Sequence, residues 1–329
     1  MNMLICGSEG SLAQMVIPEF RKLGHCLIGV DNFARHGTIE RKRNYQFLQM
    51  DLTDSSSVKT LFSQHEIDVV FHAAALVYGV VGFHEKPADI IVDNNLMTMN
   101  LLKHGADKIR HFVYMSSSMV YEKSKNVPHR EEDADLSQVM STSYGLSKYI
   151  GERIVKSFHE QYGTKFTIWR PFNIITPYEL PEDQGVSHVF ADMIRKILVE
   201  KQKPLKVLGD GKQVRCFTNI SDVAEAIGAF SLSPKAENEI FNIGNPEPVS
   251  ILQLTEMIVD IAKMHKLLPA SYTLEYEHLP VYADDVRLRI PDMSKMESVF
   301  SWKAKTSLLQ SLEQCIKHQK ETKVLPGFE

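Results

Sequence analysis

Cysteine and tryptophan are scarce in this chain, and no long unbroken apolar run occurs: four cysteines and two tryptophans are found among 329 residues. Cys6, Cys26, Cys216 and Cys315 stand at no paired spacing suited to zinc, so no metal is expected, and so few cysteines predict a reducing compartment. The most apolar stretch, Val69 to Phe83, is interrupted by His72, Gly79 and Gly82 and is too short to cross a bilayer as a helix. It reads as a buried strand followed by a loop, and no membrane partner is expected. A net charge of −4 offers no bulk attraction to nucleic acid, so none is expected as a partner. No internal repeat or low-complexity segment is evident. The first apolar run starts at residue 3, which leaves no room for a secretion signal and predicts a cytoplasmic protein. What is present, 43% hydrophobic and 24% charged residues, is ample material for a soluble enzyme with a large core or two lobes.

The chain opens with Met3-Leu-Ile-Cys6, turns at Gly7-Ser-Glu-Gly10-Ser11-Leu12-Ala13, and continues with the helical spacing Met15, Val16, Phe20, Leu23. A short strand, a glycine turn and a helix make the first βα unit of a dinucleotide-binding fold. Gly7 permits the tight turn, and Gly10 lets the backbone approach a pyrophosphate at the positive end of the helix. Ala13 stands where a third glycine is usual. A second apolar run, Cys26 to Val30, ends in Asp31, roughly 20 residues past the turn, where a carboxylate accepts hydrogen bonds from ribose hydroxyls. Asp31 would repel a 2′-phosphate and so favours NAD over NADP, while Arg35 nearby is a group that would accept one. A strand-end aspartate capping a turn is the plainer reading of Asp31 alone.

Apolar strands then alternate with helical patterns. Tyr45 to Gln49, Val69 to His72, His111 to Met115 and Lys165 to Arg170 read as strands; Ala88 to Lys103 and Ser143 to Tyr162 read as helices. The alternation predicts an α/β fold: a Rossmann doubly wound parallel sheet with helices on both faces. Beyond Arg170-Pro-Phe-Asn173 the regularity fades. Pro177, Pro181 and Gly185 mark entry into a smaller α/β substrate-binding lobe, and the site is expected where the two meet, outside the carboxyl ends of the strands.

Within Tyr144-Gly-Leu-Ser-Lys148, a phenol and an ammonium four residues apart share one helix face. The cation would favour the phenolate and bring a group with a pKa near 10 into working range as a base. On spacing alone, a solvated helix face is the better account.

The order of several segments carries more. Gly7-x-x-Gly10, Asp31-Asn32, Asp51-Leu52, His72-Ala-Ala-Ala75, Ser116-Ser-Ser118 before Val120-Tyr121, Tyr144 to Lys148, Arg170 to Asn173, Arg215-x-Phe217, Ser221-Asp-Val223, Phe241 to Gly244 and Pro291 to Lys295 follow one another along nearly the whole chain. In this the chain resembles the extended short-chain dehydrogenases/reductases, and among them the NAD-dependent nucleotide-sugar epimerase/dehydratase family. Val77 to Phe83 and Pro87 to Asn94 are most similar to the branch containing GDP-fucose synthase and GDP-mannose 3,5-epimerase.

The resemblance implies NAD as cofactor, a nucleoside diphosphate sugar as substrate, and a homodimer paired through the helices Ala88 to Lys103 and Ser143 to Tyr162. It implies catalysis by Ser117, Tyr144 and Lys148. Cofactor contacts would come from Gly7, Gly10, Ser11, Leu12, Asp31, Asn32, Asp51, Leu52, Ala73, Ala74, Ala75, Asn94, Ser116, Tyr144 and Lys148. Substrate contacts would come from Ser118, Asn173, His188, Val207, Arg215, Arg287 and Arg289, with Arg215 gripping the diphosphate and the choice between Arg287 and Arg289 open. Residues 1–173 with about 214–249 would form the NAD-binding domain, and 174–213 with about 250–329 the nucleotide-sugar lobe.

Departures from the family pattern narrow the reaction. Two positions after Ser117, dehydratases and decarboxylases of this family carry an acid, and the 3,5-epimerases and fucose synthases a cysteine; here it is Met119, whose thioether exchanges no proton. His188 stands where a partner acid is found in the fucose-synthase branch. A sugar or phosphate contact, or a structural histidine at a helix start, are the other readings. Tyr282 replaces the arginine of many UDP-sugar members, which argues against a simple galactose epimerase. Hydride chemistry needs none of the missing groups, so the first expectation is a 4-epimerase working through a transient 4-keto sugar. A one-way nucleotide-sugar dehydrogenase or reductase is the second, and a cofactor-sensing regulator the third.

Overall fold

The computed structural model describes residues 1–34, 42–136, 139–179, 187–282 and 285–321. Arg35, Pro181 and Gly185 lie outside the described residues. Six strands, β1 (Asn2–Cys6), β2 (Cys26–Asp31), β3 (Gln46–Gln49), β4 (Val69–His72), β5 (His111–Met115) and β6 (Lys165–Pro171), join the later strand Glu239–Ile243 in one seven-stranded sheet. The order runs β3-β2-β1-β4-β5-β6 and then Glu239–Ile243, and every neighbouring pair is parallel.

Apolar residues alternate across this sheet because successive strand side chains point to opposite faces. Met3, Ile5, Val69, Phe71, Val113, Met115 and Trp169 enter one core. Leu4, Cys6, Val70, Phe112, Tyr114, Phe166 and Ile168 enter the other. Both faces are therefore covered, which is why the strands read as continuous apolar runs rather than as an alternating pattern. The helix Ser11–Lys22 packs Ala13, Val16, Ile17 and Phe20 on the first face. The helix Pro87–Gly105 packs Met97, Leu101 and Leu102 on the second.

A third core gathers Phe190, Ile194, Leu205, Val207, Leu254, Ile258, Leu312 and Ile316 from the later part of the chain. Short strands accompany it: Leu205–Leu208 pairs in parallel with Tyr276–Leu279, and Val214–Cys216 lies between Pro248–Ser250 and Leu288–Arg289. The strand order reverses between β1 and β4. Sheets of this kind open a crevice at that point, outside the carboxyl ends of the strands. Here the crevice lies beyond Cys6 and His72, next to the end of β5.

Candidate active site

At the crevice, Gly7 has φ +74°, and a Cβ placed there would lie 2.8 Å from the Cα of Ala74. The turn after β1 thus presses against the backbone leaving β4, and only glycine combines that conformation with that contact. Gly10 caps the helix Ser11–Lys22 without any side-chain hydrogen bond, so the first-turn N–H groups carried by Ser11 and Leu12 are left to an outside acceptor. At the end of β2 the Asp31 carboxylate accepts hydrogen bonds from the backbone N–H of Glu9 (3.0 Å) and of Phe33 (2.8 Å). Asn32 reaches Asp51 at 3.4 Å, and Leu52 is buried behind them. A cradle closed to any Cβ, an uncapped helix start and an oriented carboxylate fit the pyrophosphate and ribose of a dinucleotide.

Two expected cofactor contacts are braces in this structure. Asn94 accepts from the backbone N–H of Leu76 at 2.7 Å and donates to the Leu76 carbonyl and to Ser147 Oγ, each at 3.2 Å, fixing the segment beyond Ala75 to the helix Ser143–Tyr162. Ser116 donates its hydroxyl to Glu152 Oε1 at 2.5 Å. The rest of that carboxylate is spent on Arg170, at 2.8 and 2.5 Å, in an ion pair with both side chains fully buried. Arg170 continues to the Tyr121 hydroxyl at 2.9 Å.

Ser117 ends the exit from β5 and caps the short 3₁₀ helix Ser118–Tyr121, accepting from Met119 N–H at 3.2 Å. Ser118, next in line, is buried. Thr142 caps the helix Ser143–Tyr162 by accepting from Gly145 N–H at 3.0 Å. Glu122 binds the two ends together: its carboxylate accepts from the backbone N–H groups of Ser141 and Thr142, each at 3.0 Å, and from the Thr142 hydroxyl. A Cβ on Gly145 would stand 2.8 Å from the Met119 carbonyl oxygen, so glycine is what lets Tyr144 come down beside Ser117. Neither Glu122 nor Gly145 stood out in the sequence, where a glutamate after Val-Tyr carries no chemical signature.

The result is that the Ser117 hydroxyl and the Tyr144 phenol stand close enough for the serine to favour the phenolate. Burial pushes the Tyr144 phenol up to about 12, against the lowering effects of Ser117 and of the Arg289 guanidinium. Lys148, expected to favour the phenolate, is anchored beside it. Its ammonium lies 5.8 Å from the Tyr144 ring centroid, donates to the Met115 carbonyl at 2.9 Å, and is itself brought down to about 8 by burial, with Glu152 opposing. Burial is the largest influence on each of the two groups. Around the phenol, Ile90, Met119, Leu76, Val77, Tyr78 and Phe83 form an apolar wall.

Of the expected substrate contacts, Arg215 and Arg289 come together as register partners on adjacent parallel strands. Arg215 is buried and paired with Asp285 at 3.0 Å; Arg289 is brought down to about 9 by burial and by Arg215. Arg287 is turned away, holding Asp210 in a two-armed surface pair at 2.7 and 2.8 Å, so Arg289 is the inward member of the two. Asn173, at φ +34°, donates to the Cys216 carbonyl at 3.0 Å and ties the end of β6 to the strand carrying Arg215. His188 starts the helix Val189–Ile194 with Nδ1 2.7 Å from Glu179 Oε1. Val207 is fully packed in the third core. Among the described residues no cluster of histidine, cysteine or carboxylate side chains suits a metal ion.

A doubly covered Rossmann sheet with a glycine cradle at its switch point and a serine, a tyrosine and a lysine gathered at the end of β5 is the pattern of an NAD-binding enzyme of the short-chain dehydrogenase/reductase type. Residues 3–244 match the NAD dependent epimerase/dehydratase family, and the chain belongs to that family; NAD is its cofactor. A UDP-N-acetyl-alpha-D-glucosaminuronate decarboxylase of Bacillus cytotoxicus is 31% identical over 97% of this chain and 97% of its own. A UDP-glucuronate 4-epimerase of Thermodesulfobacterium geofontis is 29% identical over 97% of this chain and 96% of its own. Among solved structures, the UDP-glucose 4-epimerase of Thermotoga maritima with UDP-glucose is similar at a TM-score of 0.84 and 26% identity, covering 98% of this chain and 99% of that one.

Proposed function

We propose that the protein is an NAD-dependent 4-epimerase of a nucleoside diphosphate hexuronate. The observation that carries the reading is the placing of Ser117 beside the Tyr144 phenol with Met119, rather than an acid, packed in the same cluster. NAD, held by the turn Gly7 to Gly10, by Asp31 and by the segment Ala73 to Ala75, would supply removal and return of a hydride at the sugar carbon. Tyr144 Oη takes the proton of the C4 hydroxyl and later gives it back. Ser117 Oγ donates to the same sugar oxygen, so its negative charge never develops unsupported. Lys148 keeps a positive charge next to the phenol, anchored on the Met115 carbonyl. Met119 offers no proton to C5, which leaves dehydration and 3,5-epimerisation without their second acid.

Arg289 supports an acidic sugar. It faces Tyr144 and, among the described residues, has no carboxylate at ion-pair distance, while its neighbour Arg215 is already matched by Asp285. A sugar carboxylate beside Arg289 would balance its guanidinium, and a diphosphate beside Arg215 would share that group with Asp285. Both relatives named above act by name on UDP-linked uronic acids, which supports uridine as the base. A GDP sugar is the second reading, supported by the likeness of Val77 to Phe83 and Pro87 to Asn94 to the GDP-sugar branch.

The domain division given above, a cytoplasmic location, and pairing of two copies through the helices Pro87–Gly105 and Ser143–Tyr162 belong to the same proposal. Val92 and Met99 are apolar and exposed on the first of those helices. Elution as a monomer in gel filtration would remove the dimer.

The test is incubation with UDP-glucuronate, UDP-glucose, dTDP-glucose and GDP-mannose, following sugar configuration by proton NMR and nicotinamide absorbance together, with Tyr144→Phe as control. Inversion at C4 of the uronate without net NADH is the expected outcome. Stoichiometric NADH would replace the epimerase by a one-way oxidoreductase.

A further inference from the structure

Glu9 lies between the two glycines of the first turn, and its side chain is buried. Its backbone N–H donates to Asp31 Oδ2, which places it against the carboxylate where the adenosine ribose of a dinucleotide is received. Its own carboxylate takes both arms of Arg43, Nε to Oε1 at 3.0 Å and Nη2 to Oε2 at 3.1 Å, and a third hydrogen bond from the Tyr45 hydroxyl at 2.8 Å. Tyr45 in turn accepts from Gln14 on the helix Ser11–Lys22. Arg43 is further held flat, with its guanidinium carbon 4.2 Å from the centroid of Phe47 and 5.9 Å from that of Phe33. A guanidinium engaged through two parallel N–H donors has spent the fork with which arginine grips a phosphate.

We propose that Glu9 is a cofactor-specificity residue that acts by sequestering Arg43. The chain carries, one side chain away from the ribose position, the cation that would recognise the 2′-phosphate of NADP. The Glu9–Arg43 pair keeps that cation neutralised while Asp31 repels the phosphate directly. Among the described residues, the Asp31 carboxylate then faces the 2′ position with the Arg43 guanidinium already spent. Removing Asp31 alone lifts the repulsion but leaves Arg43 tied; removing both carboxylates releases the fork toward the phosphate.

Isothermal titration calorimetry of the full chain with NADP and with NAD tests this without reference to turnover, using Asp31→Asn, Glu9→Gln, the double variant, and the double variant with Arg43→Ala. The double variant is expected to bind NADP about ten-fold tighter than Asp31→Asn does, on the strength of one charge-assisted phosphate clamp. Adding Arg43→Ala is expected to erase that gain. An NADP affinity in the double variant no better than in Asp31→Asn, or a gain that survives Arg43→Ala, overturns the proposal. NAD affinity of Glu9→Gln, which keeps Asp31, reports whether the turn is intact. If Glu9→Gln does not fold, Glu9→Ser with Asp31→Asn carries the same expectation.

Discussion

Phe83 stacks face to face on Tyr144, with ring centroids 4.9 Å apart and planes 11° from parallel. The phenol that has to accept a proton is thus covered by an apolar ring from the segment Val80–Glu85, whose next residue, His84, stacks in the same way on Tyr282 at 4.1 Å. Burial is the largest influence on Tyr144, and Phe83 is part of that burial. Phe83→Ala should let water reach the phenol and bring its ionisation down from about 12. The ascending limb of the pH–rate profile, along which the phenol loses its proton, should then move by roughly one unit toward neutral pH. An unmoved limb would mean that the ring does not shield the phenol in the working enzyme.

Lys148 makes stability depend on pH in an unusual direction. Its ordinary value of 10.5 is brought down to about 8 in the fold. Between these values the unfolded chain holds a proton that the folded chain has released, so stability rises with pH across that window. Tyr144 opposes the rise above pH 10, since there the unfolded phenol ionises before the buried one. Denaturation of wild type and Lys148→Met at several pH values isolates the effect. The difference between them should shift in favour of wild type from pH 8 to 10, and a flat difference would count against a buried, desolvated ammonium.

Met119 gives a prediction about isotopes. With a thioether two residues past Ser117, packed against Tyr144, that position offers no group to exchange a proton with sugar carbon. Turnover in D2O should therefore leave C3 and C5 free of deuterium, as read by NMR or mass spectrometry of the product. Deuterium at either carbon would show that another residue completes the relay, and would favour a 3,5-epimerase.

Gly7→Ala tests the cradle. The methyl would be forced into a left-handed backbone, at about 1–2 kcal/mol, and into the Ala74 backbone 2.8 Å away. Loss of NAD binding by calorimetry, together with a lower denaturant midpoint, is expected. Unchanged NAD affinity would place the pyrophosphate elsewhere.

Local chemistry and periodicity were enough to read several parts of this protein directly from its sequence. The strands at residues 69–72 and 111–115 and the helix at 143–162 lie where their apolar patterns put them. The turn Gly7 to Gly10, the carboxylate of Asp31 and the spacing of Tyr144 and Lys148 were legible because each depends only on near neighbours along the chain. Tertiary structure decided what required distant groups to meet. It made Ser116 and Arg170 ligands of a buried Glu152, turned Arg287 out toward Asp210 and Arg289 in toward Tyr144, and made Glu122 the clasp between Ser117 and Tyr144. Above all it set the protonation of the site. Spacing reports that a lysine and a tyrosine share a helix face, but how far the phenol is desolvated depends on Phe83 and Met119 and the charge it meets on Arg289, residues brought to that face only by the folding of the whole chain.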